Sequence, residues 1–244
     1  MNLRGIITLV GRETLKIVLP SPCVVCGGDL GLVGRRASCC ASCWGTLPRI
    51  DELRCRRCAL PWSGGVGETF LCLECARRSR DPLDWIDSWG HYRAGLEKVL
   101  HAFKFERHDF LAVPLGELIA EVLEERGADE LDALVPVPLH PKRLRERGYN
   151  QAELLAVAAS KRCGLPVDRR AIRKKRDQPP QATLRRGERA ANVSGAFEAT
   201  RRLDGQRLLL IDDICTTGAT LRACARALRK GGAERVAALA VARA

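Results

Sequence analysis

Large rings are scarce in this chain: four Trp, two Tyr and five Phe make up 5% of its 244 residues. A core can still form, because apolar residues reach 46%, but aliphatic packing must dominate it. The same scarcity leaves little surface on which nucleobases could stack. No run approaches the roughly 20 apolar residues that a spanning helix needs, so no membrane span is expected. The N-terminus lacks a secretory pattern. Arg12, Glu13 and Lys16 interrupt its apolar positions, and no small-residue cleavage site follows. The expected location is cytoplasmic. Acidic residues are outnumbered, 29 Asp and Glu against 41 Lys and Arg, which leaves a net charge of +12. That excess points to a polyanionic partner: a phosphorylated sugar, a nucleic acid or an anionic membrane surface.

Cysteine is abundant, with twelve in the chain. In a reducing compartment so many thiols point to metal rather than to disulfides. Eight of them form four Cys-x-x-Cys pairs: Cys23 with Cys26, Cys40 with Cys43, Cys55 with Cys58 and Cys72 with Cys75. Thirteen residues separate the first pair from the second, and the third from the fourth, which makes an internal repeat. Two such knuckles supply four thiolates to one closed tetrahedral site, so the eight suit two structural Zn²⁺ ions with no open catalytic position. First pair with second and third with fourth is the expected grouping; a crossed grouping stays open. Few large apolar residues beyond Trp44 and Trp62 lie here, so metal must supply much of the folding energy. Cys39 is either a neighbour of the ligand Cys40 or its alternate. A thioredoxin-like redox role would need a βαβ context that this stretch lacks.

Along the chain, apolar residues from Leu3 to Leu19 recur at near-helical spacing and predict a helix over 1–22, ended by Pro20 and Pro22. The zinc-binding segment follows over 23–80. Arg77 to Pro82 reads as a polar hinge, and an α/β domain is expected over 84–244. Its elements are a strand from Trp85 to Tyr92, helices from Leu96 to Phe105 and from Leu111 to Arg126, and a buried strand from Leu131 to Pro138. Lys142, Arg143, Arg145 and Arg147 then cluster at that strand's C-terminal end, the edge where open α/β sheets bind ligands. Asn150 caps a helix from Gln151 to Cys163. Arg169 to Arg189 is strongly basic and is broken by Asp177, Gln178, Pro179, Pro180 and Gln181. It reads as a mobile loop that closes over a site and brings in Arg173, Lys174, Lys175 and Arg176. A short strand from Ser194 to Glu198 and a last strand from Glu234 to Val241 complete the domain.

The most informative stretch runs from Arg207 to Leu221. Leu208 to Ile211 is the unbroken apolar run of a parallel strand buried on both faces. Asp212 and Asp213 follow where that strand should end, then Cys215, Thr216, Thr217, Gly218, Ala219 and Thr220 lead into a helix. A strand, a small hydroxyl- and Gly-rich turn and a helix N-terminus form an anion site, because backbone N–H groups converge there. Adjacent carboxylates suit a pair of ribose hydroxyls. Each half alone is a common turn or cap; the ordered string reads as a site for a ribose 5-phosphate.

The string Asp212-Asp-Ile-Cys-Thr-Thr-Gly-Ala-Thr220 resembles the phosphoribosyl-diphosphate (PRPP) motif of type I phosphoribosyltransferases. With the four Cys pairs, Pro136-Val-Pro138, Arg147-Gly-Tyr-Asn-Gln151, Gln178-Pro-Pro-Gln181, Arg189-Ala-Ala-Asn192 and Gly195-Ala-Phe197, the chain is similar to the ComF (ComFC/GntX) family from about Leu15 to Arg243. The resemblance implies a type I phosphoribosyltransferase fold, Rossmann-like, with a mostly parallel sheet and flanking helices, preceded by a small double zinc ribbon with four cysteines to each metal. It implies that Asp212 and Asp213 hold ribose hydroxyls and that Thr216, Thr217, Gly218, Ala219 and Thr220 hold a 5-phosphate. It also implies that Lys142 and Arg143 face a diphosphate accompanied by Mg²⁺, and that Arg173 to Gln181 form the flexible loop. The family is linked to single-stranded DNA in natural transformation, and so to DNA-uptake or helicase machinery at the inner membrane. Ala59 departs from the Gly expected after the third Cys pair. Thr216 stands where purine-salvage relatives carry an acidic residue that serves the base, so the acceptor is not legible. Two functions stay open: a nucleic-acid-handling protein that keeps a PRPP pocket, and a transferase that displaces diphosphate from PRPP onto an unidentified acceptor.

Overall fold

The computed structural model of the chain describes residues 22–30, 38–61, 70–78, 80–106, 108–127, 130–175 and 195–244. The helix expected over 1–22 lies outside these residues apart from Pro22, as does the basic stretch from Arg176 onward.

In chain order the elements begin with α1 (Ala41–Gly45), α2 (Leu73–Arg77), β1 (Ile86–His91), α3 (Ala94–Phe105) and α4 (Ala112–Arg126). Next come β2 (Ala133–Pro136), α5 (Pro141–Arg147), α6 (Gln151–Cys163), β3 (Ile172–Lys174) and β4 (Phe197–Ala199). The last are β5 (Arg207–Cys215), α7 (Ala219–Lys230) and β6 (Arg235–Arg243). They fall into two compact units, one of Met1–Pro48 and Arg93–Leu111, the other of Arg49–Tyr92 and Ala112–Ala244. This division differs from the linear one at 23–80 and 84–244, since the first two Cys pairs belong to one unit and the last two to the other.

In the first unit α3 buries Leu96, Val99, Leu100 and Phe103 at the three-and-four spacing of an amphipathic helix. Its Gly95 permits close approach: a Cβ there would stand 3.1 Å from Leu47 Cδ2.

The second unit is built on a parallel sheet of order β1-β6-β5-β2. β5 pairs with β2 from Leu208 opposite Ala133 to Ile211 opposite Pro136, and with β6 from Arg207 opposite Arg235 to Cys215 opposite Arg243. Leu208 and Leu210 share a core with Leu221 and Leu228 of α7 and with Phe197 of β4. Leu209 and Ile211 alternate to the other face. α4 and α6 pack closely together, and both contact the sheet. Small residues make that contact, because a Cβ on Gly116 would fall 2.4 Å from Ala158 Cβ. Aliphatic and small-residue packing thus replaces the missing rings.

Three differences from the sequence reading have physical causes. β5 does not end at the acidic pair but runs on to Cys215, because β6 supplies partners as far as Arg243. Arg173 and Lys174 do not lie in a loop: Ala171 and Ile172 are buried, and Ile172 to Lys174 pair antiparallel with Phe197 to Ala199. The polar stretch ending at Pro82 is no free hinge, since Asp81 and, just beyond it, Asp84 are bound by Arg222 and Arg229 of α7.

Candidate phosphate loop and cysteine clusters

The turn from β5 into α7 is positioned from both ends. Asp212 is half-buried and Asp213 buried, and the Asp213 amide donates to Asp212 Oδ1 at 2.9 Å. Gly218 caps α7 with φ +71°, and Thr217 Oγ1 accepts from the first amide of the helix, Ala219 N, at 3.4 Å. A Cβ on Gly218 would lie 2.7 Å from Arg222 Nη1 and 3.1 Å from Ile86 Cδ1. Both the backbone angle and the crowding therefore call for glycine. α7 carries no acidic residue in its first turn, so its N-terminal amides and dipole remain favourable to an anion. Cys215 differs from its motif neighbours. Its thiol is buried in the core and burial raises its pKa; the sulfur accepts from Arg243 Nη1 at 3.8 Å and the backbone carbonyl from Ala244 N at 3.0 Å.

Arg222 was not legible as a site residue. Its Nη1 donates to the Thr217 carbonyl at 2.9 Å, and its Nε donates to Asp81 Oδ2 at 2.9 Å. The Asp81 side chain is 3% exposed and that of Arg222 15%. A helical Arg at i+5 from a loop Thr was a visible spacing, but its partner lies 141 residues away.

The first basic cluster forms α5, whose N-cap is His140, accepting from Lys142 N at 3.3 Å. Lys142 is exposed and Arg143 half-buried. In Arg147 burial holds the guanidinium below its ordinary range, and the charge of Asp213 opposes that shift. Arg147 also donates to Gln151 Oε1 at 3.2 Å. The second basic cluster is engaged locally. Arg173 and Lys175 both ion-pair with Glu198, and Lys174 Nζ lies 5.7 Å from the centre of the Phe197 ring. Arg176 lies outside the described residues.

The cysteines gather as Cys23, Cys26, Cys40 and Cys43, and as Cys55, Cys58, Cys72 and Cys75, each set with its sulfurs within 4.8 Å of one another. Backbone amides point at the sulfurs, from Cys40 to Cys23 Sγ at 3.4 Å and from Cys72 to Cys55 Sγ at 3.3 Å. Burial pushes the Cys55 thiol up, but amide donors from Cys72, Arg57 and Cys58 outweigh it and bring the pKa down to about 7. Both donor sets fit a closed tetrahedral metal site. The repeat extends to the turns: the amides of Gly27 and Ala59 donate to Cys23 O and Cys55 O, with φ of +75° and +52°. Ala59 thus adopts the left-handed backbone that its glycine counterpart takes without strain. Cys39 is in neither set; it is buried, and burial pushes its pKa up to about 12.

Two cavities frame these parts. One, of about 810 Å³, lies within the first unit along α3 and contains none of the motif residues. The other, of about 480 Å³, lies within the second unit and joins Thr216 and Thr217 to the Cys58–Cys72–Cys75 cluster. No helix among the described residues is long and apolar enough to cross a membrane.

Comparison with known proteins gives two family models. Residues 14–78 match the double zinc ribbon domain, and residues 145–244 match the phosphoribosyl transferase domain. The fold is accordingly that of a type I phosphoribosyltransferase, with a double zinc ribbon in its N-terminal part. The chain is 30% identical over 226 residues to the DNA utilization protein YhgH of Escherichia coli K12, covering 90% of this chain and 96% of that one. It is 28% identical over 221 residues to competence protein F of Haemophilus influenzae, covering 84% and 96%. It is 29% identical over 198 residues to competence protein ComFC of Bacillus subtilis, covering 79% and 78%.

Proposed function

The chain belongs to the ComF family of competence and DNA-utilization proteins, and from that premise we propose that it binds PRPP or another 5-phosphorylated ribose and handles single-stranded DNA. The observation that carries the first half is the β5–α7 turn. Its glycine cap, a helix N-terminus with no acidic residue in the first turn and the preceding acidic pair supply a phosphate cradle and two carboxylates in the order a ribose 5-phosphate needs. In this reading Thr216 to Thr220 hold the phosphate and Asp212 and Asp213 the ribose hydroxyls. Lys142, Arg143 and Arg147 face the diphosphate, which Mg²⁺ would accompany. The relatives' names and the net charge of +12 support the DNA half. With 5% aromatics, DNA binding is mainly electrostatic and falls steeply with salt. The two Cys sets each hold one structural Zn²⁺, which adds stability where the ribbons have little core of their own.

A second reading is favoured by the acidic pair, Asp212 and Asp213, and by the cations of α5. The protein then displaces diphosphate from C1 of PRPP: the C1–O bond breaks, a bond from the acceptor to C1 forms, and the acceptor's proton passes to solvent. Cations at α5 stabilise the charge growing on the leaving diphosphate. Incubation with PRPP and Mg²⁺, followed by assay of released diphosphate with and without oligonucleotide, decides between the two. Release above the spontaneous rate supports the transferase. Saturable PRPP binding without release supports a sensor or anchoring site.

A further inference from the structure

The 480 Å³ cavity beside the phosphate loop has a mixed chemistry that the loop alone does not require. Its floor is Thr216 and Thr217, and its far wall is the second Cys cluster. Among the described residues four arginines line it, Arg78, Arg222, Arg226 and Arg243, against one carboxylate, Glu74. Three of the four are already committed. Arg222 holds Asp81 and the Thr217 carbonyl, Arg243 donates to Cys58 O at 2.7 Å, and Arg78 pairs with Glu74. The fourth, Arg226 of α7, is exposed and lines the cavity as well. The rim is apolar and open to solvent: Leu60 is 44% exposed and Leu73 76%. Exposed leucines beside arginine guanidiniums make a place for a flat, part-apolar group that carries a negative charge. The volume lies within the roughly 300–1,000 Å³ of small-ligand sites.

From this we infer that the cavity is a nucleotide subsite, and that it takes the nucleotide on the 5′ side of a phosphate held by the loop. The inference rests on the reading of the loop as a phosphate site. A free sugar phosphate ends at the loop. A DNA strand continues past it, with the next base against Leu60 and Leu73 and the next phosphate on Arg226. The second ribbon is then part of the binding surface as well as a structural staple. No bond is made or broken in this step.

The test uses the full chain, fluorescein-labelled oligo(dT) and PRPP with Mg²⁺. Arg226→Glu is expected to weaken oligo(dT) binding at least tenfold while leaving PRPP affinity within twofold of the parent. Leu73→Asp is expected to act in the same direction. Arg202→Glu makes the same change in net charge outside the cavity and is expected to leave both affinities within twofold. Thermal melts of each variant confirm the fold. Oligo(dT) binding that both cavity variants leave unchanged, or that Arg202→Glu weakens equally, overturns the subsite. PRPP binding intact in that case shows that the loop reading survives. A parent protein that binds no PRPP removes the loop reading and the subsite with it.

Discussion

Arg222 and Asp81 form an ion pair at 2.9 Å, and the other arm of that guanidinium grips the Thr217 carbonyl. The segment between the second ribbon and β1 is therefore fastened to the loop that carries the Thr-Thr-Gly motif. Both side chains are largely buried, which puts the pair where its loss is felt.

Asp81→Ala leaves Arg222 buried without its counter-charge. Breaking a pair of this kind costs about 3–5 kcal/mol. Urea denaturation should show that loss, and calorimetry should show weaker PRPP binding, because Thr217 loses the anchor of its anchor. An unchanged unfolding midpoint would contradict the strap.

Gly218→Ala combines a left-handed backbone with a Cβ 2.7 Å from Arg222 Nη1. The backbone term alone costs about 1–2 kcal/mol. The expected outcome is a modest fall in melting temperature and at least a tenfold loss of PRPP affinity, read by denaturation and calorimetry on the same sample.

Metal content should be two Zn²⁺ per chain by elemental analysis of reduced protein, since each sulfur set is closed by four thiolates. Cys55→Ser and Cys72→Ser together should bring it to one, and should destabilise the unit that carries the phosphate loop. A zinc content near zero would overturn the assignment.

Lys175 and Arg173 hold the Glu198 carboxylate below its ordinary range, the Lys175 contribution being the larger. A depressed folded pKa adds stability above the unfolded value of roughly 4.3 and loses it as pH falls below that value. Glu198→Gln should therefore flatten the acid limb of the stability profile below about pH 4.3 and leave the shape of the profile unchanged above about pH 6. An identical acid limb in the variant would show that the pairs contribute nothing.

Much of the fold was legible because its signals are local. The helix from Gln151 to Cys163 could be started at a capping Asn150, and that cap is present. The Cys spacing announced two sulfur sets, and the sets form within each half of the repeat. The misses are tertiary. Nothing near Asp81 in the sequence names Arg222 as its partner. The extent of β5 depended on the length of β6, and the engagement of Arg173 and Lys175 depended on Glu198 across a hairpin. Among the basic residues after β2, the burial of Arg147 and its electrostatic coupling to Asp213 depend on the fold.

Calorimetric titration of PRPP with Mg²⁺ into the parent chain and into Asp212→Ala/Asp213→Ala tests the central claim most directly. The account predicts saturable binding to one site in the parent, and none in a variant that melts as a folded protein. Equal binding by both, or none by the parent, would contradict it.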